Sequence, residues 1–230
     1  MDDTFDDRLT SLAALGEPVR RALYRYVVSA DRPVSRDQAA EALAVPRHVA
    51  KFHLDRLEDD GLLEAEFRRP PGRSGPGAGR PAKVYRRSAR EVAVSLPDRR
   101  YDLAGRIMAA AISSAEREGT PVGTALREAA AAFGRELAEG ARTDASRAGG
   151  SLLETARQVL ADYGYEPRGD AAGLTLANCP FHALAQDYTD LVCGMNLDLL
   201  RGFLEGLNAP ELEARLDPAP GRCCVTVCRR

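Results

Sequence analysis

Residues 35–61 read SRDQAAEALAVPRHVAKFHLDRLEDDG, and this stretch decides the fold of the N-terminal part of the chain. Ser35 followed three residues later by Gln38 forms a capping-box pattern, which predicts the start of a short helix. After a tight connection, a second helix is predicted from Arg47 to Asp60, and Gly61 ends it. Two helices joined by a short turn predict a helix-turn-helix unit.

The second helix of such a unit enters the major groove of DNA, so its exposed positions should carry hydrogen-bond donors. The candidate DNA-contacting residues of this helix are Arg47, His48, Lys51, His53 and Arg56. The apolar residues Val49, Phe52 and Leu57 are expected to face the core.

A basic hairpin is predicted immediately after this helix. Residues 62–67 alternate in polarity and predict a strand, Lys83–Arg87 predict the returning strand, and residues 70–81 form a Gly/Pro/Arg loop. Between Phe67 and Arg90 there are eight basic residues and no acidic one, in a chain of net charge −2. This local charge suits contact with a DNA backbone or a minor groove. The candidate contacts here are Arg68, Arg69, Arg73, Arg80 and Lys83. Residues 1–90 are therefore predicted to form a winged helix-turn-helix domain that binds double-stranded DNA.

The rest of the chain predicts a mainly helical fold with small sheets, of the α+β class. Residues 91–150 are expected to be a helical connector with dimerisation helices, ending in a polar break over 142–150. Residues 151–230 are expected to form a sensor domain with the order α-β-β-α-β, whose second helix covers 183–207 and whose last strand covers 223–228. On the helix from Tyr101 to Glu118, the seam Tyr101, Ala104, Met108, Ala111 and Ala115 is expected to pair with a second copy. A homodimer would read a near-palindromic operator.

All five cysteines lie after residue 178. The chain starts with acidic residues and contains no run of about 18 apolar residues, which argues against a secretory signal and a membrane span. A cytoplasmic location is therefore expected, where thiols stay reduced. In that setting, cysteines suggest metal binding, redox sensing or burial before they suggest disulfides.

The predicted elements bring the cysteines towards one place. Cys179 follows a strand, Cys193 lies in the long helix, and Cys223 and Cys224 open the last strand, so three thiols can meet. Thiolates suit an iron–sulfur cluster or zinc. Cys223 shares its side of the strand with two valines, which leaves Cys224 freer to bind. His182 is a further candidate ligand.

Two stretches resemble known regulators. LGEPVRRAL at 15–23 resembles the opening helix of ArsR-type winged-helix repressors. GRPAKVYR at 79–86, together with the spaced cysteines, resembles the SufR-type regulators. The second resemblance implies a homodimer with one iron–sulfur cluster, usually 4Fe–4S, in each subunit. It implies repression of cluster-assembly genes and weaker operator binding when the cluster is lost. By position, the ligands would be Cys179, Cys193 and one of Cys223 and Cys224.

Other functions stay open at this stage. The C-terminal cysteines also fit a zinc sensor or a thiol-redox sensor, and the domain could instead bind a small apolar effector. An enzyme is disfavoured because the sequence has no phosphate-binding glycine loop, no nucleophile elbow and no metal-hydrolase histidine pair. Cys179 and His182 could form a dyad, but no oxyanion or substrate motif accompanies them.

Overall fold

The structure is a computed structural model that describes residues 5–68, 81–148 and 151–230. The chain divides into two compact units, Met1–Val94 and Ser95–Arg230. Each unit has a hydrophobic core of its own. The α+β class is confirmed, since helices dominate and two small antiparallel sheets accompany them.

The N-terminal unit has the order of a winged helix-turn-helix. Its elements are α1 (Phe5–Ala14), α2 (Pro18–Ser29), β1 (Val34–Ser35), α3 (Arg36–Ala42), α4 (Arg47–Asp59), β2 (Leu63–Arg68) and β3 (Ala82–Arg87). The sheet order is β1-β3-β2, with both pairings antiparallel. The short strand β1 was not predicted from the sequence; it pairs Val34 with Tyr85 and Ser35 with Val84.

Local signals explain where the helices of this unit begin and end. The capping box is present, since the Gln38 amide donates to Ser35 Oγ and the Ser35 amide donates to Gln38 Oε1 at 2.9 Å. Gly61 adopts a φ of 72° just after α4, a conformation that glycine reaches without strain. The fully buried side chains of α2, α4 and β3 then meet in one core: Leu23, Leu54, Leu57 and Tyr85.

The C-terminal unit places helices against a four-stranded sheet. Its elements are α5 (Tyr101–Glu118), α6 (Val122–Ala148), α7 (Leu152–Asp162), β4 (Pro167–Asp170), β5 (Gly173–Leu176), α8 (His182–Asp187), α9 (Thr189–Gly206), β6 (Leu212–Leu216) and β7 (Val225–Arg229). The sheet order is β4-β5-β7-β6, antiparallel throughout. Helices α6 and α9 approach so closely that a Cβ atom on Gly134 or Gly202 would clash with the backbone of the other helix.

Helices α5 and α6 of the predicted connector lie in the same compact unit as residues 151–230. They share one core with residues from 151 onwards, because α6 packs on α9 and α5 packs on α6. On the predicted dimer seam, Ala104, Ala111 and Ala115 are buried in this core, so these small residues bring together helices of the same chain. Helix α6 also continues through the predicted polar break as far as Ala148.

Two further predictions for the C-terminal unit were wrong. The helix expected over 183–207 is two helices, α8 and α9, which meet at Tyr188. The strand β6 was missed, although Leu212 and Ala214 alternate with polar residues and face the core. The described residues include no helix with the length and apolar character needed to span a bilayer.

Candidate nucleic-acid interface and cysteine cluster

Helix α4 has one buried face and one exposed basic face. Ala50, Leu54 and Leu57 are fully buried and attach the helix to the core. In the N-terminal half of the helix, Arg47, His48 and Lys51 are all exposed. Arg47 also forms an ion pair with Asp37 of α3 at 2.5 Å. The first turns of α4 thus present several hydrogen-bond donors to solvent.

The two remaining candidates on α4 have partners inside the unit. The His53 side chain is only 12% exposed, and its Nδ1 atom accepts a hydrogen bond from Arg20 Nε of α2 at 3.4 Å. Arg56 binds both carboxylate oxygens of Asp60, each at 3.0 Å. His53 therefore packs between α4 and α2, and the Arg56 charge is balanced at the C-terminal end of the helix.

Lys83 belongs to a charged network between β3 and α4. Its Nζ atom lies 2.9 Å from Asp55 and also contacts Glu58, and its side chain is only 17% exposed. Asp55 additionally accepts hydrogen bonds from Arg36 and from the Tyr85 hydroxyl. Burial raises the pKa of Asp55, but the hydrogen bonds from Tyr85, Lys83 and Arg36 outweigh it and lower this pKa to about 2. The sequence predicted Lys83 as a DNA contact, whereas its ammonium group is engaged by two carboxylates of α4.

The strands of the hairpin carry further cations. Arg68 at the end of β2 is exposed and lies 2.6 Å from Glu66, and Arg86 on β3 lies 2.9 Å from Glu64. The predicted contacts Arg69, Arg73 and Arg80 lie outside the described residues.

Phe52 contradicts the sequence prediction. It was expected in the core, but its side chain is 63% exposed on the same face as His48 and Lys51. At 3.6 residues per turn, Phe52 lies about 200° around α4 from the buried Ala50. Helical spacing therefore places Phe52 on the surface, provided that Ala50 is known to be a core position.

The four cysteines named as candidate ligands, here called the cysteine cluster, form two pairs. They are Cys179, Cys193, Cys223 and Cys224. Cys193 of α9 and Cys224, just before β7, form a disulfide with a Cα–Cα distance of 6.4 Å. The expectation that these thiols are reduced is thus wrong for this pair. The disulfide arises because the helix and the end of the sheet bring the two residues together although they are 31 positions apart.

Cys179 and Cys223 form the second pair. The Cys223 thiol donates a hydrogen bond to Cys179, and together with the Phe181 amide and the positive charge of Arg99 this lowers the pKa of Cys179 to about 7. The same bond and burial raise the pKa of Cys223. Cys223 is buried, as its position beside the valines predicted, and Cys224 is half-buried. Cys179 therefore carries a larger thiolate fraction near neutral pH than an ordinary cysteine does.

The loop that carries Cys179 is anchored to the segment before α5. Arg99 Nη1 donates to the Cys179 carbonyl at 3.1 Å and also to Asn178 Oδ1. Asn178 Nδ2 donates to the Asp98 carbonyl at 2.9 Å, and the Arg100 amide donates to the Pro180 carbonyl at 3.0 Å. These side chains and amides bind the cysteine loop to residues 98–100.

Two polar residues near the cluster behave differently. His182 is exposed and contacts the cluster through its backbone amide, which donates to the Cys179 carbonyl at 3.1 Å. Asn196 was not singled out by sequence analysis, yet it is buried, and its Nδ2 atom donates to Cys223 Sγ at 3.2 Å. Asn196 Oδ1 accepts a hydrogen bond from the Tyr165 hydroxyl at 2.6 Å. Asn196 thus contacts a cluster sulfur through its side chain, whereas the His182 hydrogen bond to the cluster runs between backbone atoms.

The cysteine cluster contains the sulfur donors that soft metals prefer. In the form with the Cys193–Cys224 disulfide, however, these donors are not grouped around a metal position. Thiolates from three elements are the usual donors for iron–sulfur clusters and for zinc. Across residues 5–68, 81–148 and 151–230, however, no three or more His, Cys, Asp or Glu side chains are grouped to hold a metal ion. The sulfurs of Cys193 and Cys224 are bonded to each other, so both become donors only after reduction.

Comparison with protein families finds a match within the N-terminal unit. Residues 15–66 match the family described as helix-turn-helix domain, and this range runs from just before α2 into β2. No curated protein matches the chain. The match includes both helices of the predicted DNA-binding unit, and it supports a helix-turn-helix regulator that binds DNA.

Proposed function

We propose that this chain acts as a homodimeric repressor that binds a near-palindromic, double-stranded DNA operator through α4 and the β2–β3 hairpin. The observation that carries the proposal is the exposed trio Arg47, His48 and Lys51 at the N-terminal end of α4, inside the helix-turn-helix match. Residues at this end of a recognition helix contact base edges. Arg68 on the hairpin supplies a cation for the phosphate backbone.

The C-terminal unit is proposed as the sensor, with an iron–sulfur cluster of the 4Fe–4S type held by Cys179, Cys193 and one of Cys223 and Cys224. The support is the donor set: the Cys179 thiol contacts Cys223, and Cys193 is bonded to Cys224, the chain neighbour of Cys223. When bound, such a cluster supplies sensitivity to oxidants and to iron supply. Binding of the iron–sulfur cluster and the Cys193–Cys224 disulfide exclude each other, because a disulfide sulfur is not a thiolate and cannot bind iron in this way. The genes controlled are proposed to be those of cluster assembly.

A covalent route from the sensor to the DNA-binding unit supports this proposal. Residues 98–100, which hold the Cys179 loop, follow the end of the N-terminal unit at Val94 by only a few positions. Oxidation of the cysteine cluster, or metal binding to it, would act on this loop. Through the loop it would act on the chain segment that leads to the winged helix. A few kcal/mol suffice to shift such a two-state equilibrium.

A second candidate function is favoured by the disulfide itself. A thiol-redox regulator would use the reduced and disulfide forms of Cys193 and Cys224 as its two states, without any metal. A zinc sensor would use the same thiols in the reduced form. For an apolar effector, the cavity between Leu103, Leu160 and Phe203 is too small, since its volume is about 10 Å³.

The DNA-binding proposal is tested by titrating operator DNA at fixed salt. Lys51→Ala should weaken binding by roughly 1–3 kcal/mol, the cost of losing a contact to a base edge. Arg25→Ala is the matched control, because it also removes one exposed cation from the unit but lies on α2. Equal affinity of Lys51→Ala and wild type would rule out α4 as the reading helix.

The sensor proposal is tested by anaerobic purification followed by an absorption spectrum and by iron and sulfide assays. An iron–sulfur cluster gives visible colour, zinc gives none, and mass mapping of the disulfide identifies the thiol-redox form. Cys179→Ser and Cys193→Ser should each give a colourless, folded dimer with weak operator binding. Equal operator affinity of wild-type and both variant proteins would show that the cysteine cluster does not control DNA binding.

A further inference from the structure

Phe52 is an exposed aromatic side chain at the centre of the basic face of α4. The side chains of His48 and Arg56 lie one turn before and one turn after it, and Lys51 precedes it in the chain. These residues and Arg20 of α2 border a shallow surface depression, which Asp55 and Asp59 also line. The Asp55 charge is already balanced by Lys83 and Arg36. The ring therefore lies beside the exposed side chains of His48 and Lys51, which suit DNA, whereas Arg56 is paired with Asp60 and Asp59 adds a negative charge to the depression.

The packing of α4 does not require an aromatic residue at position 52. Ala50, Leu54 and Leu57 attach the helix to the core, and Phe52 points away from them. Its ring contact within the unit is with the edge of His53, at a centroid distance of 5.2 Å. Because position 52 lies on the face of α4 that carries His48 and Lys51, this exposed ring is available to an apolar group on the surface that the helix contacts.

In the major groove, the four bases offer one apolar group for such a contact. Donors and acceptors cover the edges of adenine, guanine and cytosine, whereas thymine carries its 5-methyl group there. Stacking of the ring between bases would require the base pairs to be separated, as happens for wedges in the minor groove. A recognition helix in the major groove leaves the bases stacked, so the ring meets a methyl group and not a base face.

We propose that Phe52 is a specificity-determining residue that contacts the 5-methyl group of a thymine in the operator. This inference rests on the proposed function, because it takes α4 as the helix in the major groove. Arg47, His48 and Lys51 then supply the hydrogen bonds, and Phe52 distinguishes thymine from the other three bases at one position of each half-site.

The test uses deoxyuridine, which differs from thymidine by this methyl group alone. A duplex is first enriched from a random-sequence pool by the wild-type protein, and each of its thymines is then replaced singly by deoxyuridine. At one position the replacement should weaken wild-type binding about fourfold, the effect of one methyl group removed from a buried contact. Phe52→Ala should bind the thymidine and deoxyuridine duplexes equally. Phe67→Ala, which removes another exposed ring from the same unit, should retain the fourfold difference.

The outcomes separate the inference from the function on which it rests. A pool in which the wild-type protein enriches no sequence contradicts the proposed function. Enrichment without any effect of deoxyuridine, or with the same effect in Phe52→Ala, overturns the role of Phe52 while leaving DNA binding intact. Thermal melting of Phe52→Ala should match wild type because the ring is exposed, which ensures that the comparison is made on folded protein.

Discussion

Lys83 shows how the surroundings of a residue change the role expected from its charge. In the sequence it is one of several wing cations, and it was predicted to contact DNA. In the structure its ammonium group is held by Asp55 and Glu58, so that it attaches β3 to the recognition helix. Burial lowers the pKa of Lys83, but the hydrogen bonds to Glu58 and Asp55 outweigh it, and the net pKa is raised. Its contribution to DNA binding is therefore expected to be positional.

Salt dependence distinguishes a positioning lysine from one that contacts phosphate. Each neutralised phosphate contributes about −0.9 to the slope of log K against log salt concentration. Lys83→Met should lower operator affinity and leave this slope unchanged, because the ionic link between β3 and α4 is lost but no phosphate contact is lost. Arg68→Ala is the comparison, and it should make the slope less steep by about 0.9. If Lys83→Met reduced the slope by the same amount, Lys83 would be a backbone contact as first predicted.

At the scale of elements, the signals within a few residues predicted most of the fold. The capping box of Ser35 and the glycine at 61 defined α3 and the end of α4 without any tertiary information. Strand β1 was missed because two residues carry no pattern, and they become a strand only by pairing with β3. The Cys193–Cys224 disulfide was missed for the same reason, since it joins residues that only the folded chain brings together.

The surface of α5 carries a second apolar stripe that could serve the proposed dimer. The predicted seam is covered by the same chain, but Gly105, Ala109 and Ile112 are exposed along the helix at spacings of four and three residues. Ile112 is 57% exposed, and the small residues would let a second helix approach closely. This side of α5 is thus the better candidate for contact between subunits.

A charge on this stripe should separate the subunits. Ile112→Glu should sediment as a monomer at micromolar concentration and bind a two-half-site operator more weakly, because burying a carboxylate between helices is costly. Ser113→Glu places the same charge on the neighbouring exposed position and should remain a dimer. A dimer of unchanged stability for Ile112→Glu would exclude this face of α5 from the subunit contact.

For the whole molecule, the central question is how the cysteine cluster reaches a DNA-binding unit that lies far away in the sequence. Arg99 is the residue best placed to answer it. Its guanidinium group binds Asn178 and the Cys179 carbonyl, while its backbone belongs to the segment that follows the N-terminal unit. Charged hydrogen bonds to a carbonyl are among the stronger ones in proteins, so loop and segment should move together.

Removal of this side chain should weaken the coupling between the cysteine cluster and DNA binding. In wild-type protein, operator affinity should be higher in the cluster-loaded, reduced form than in the disulfide form. In Arg99→Ala the Cys193–Cys224 disulfide should still form, as mass mapping can verify, but the difference between the two affinities should become smaller. Asn178 and the Arg100 amide still hold the loop in this variant, so the difference should not vanish. Arg100→Ala is the matched control, since its side chain binds Asp102 and stacks on Tyr163, while its backbone amide keeps the bond to Pro180. In gel-shift titrations, the reduced and disulfide forms of Arg99→Ala could differ in operator affinity as much as those of wild type do. That result would mean that the signal travels by another path.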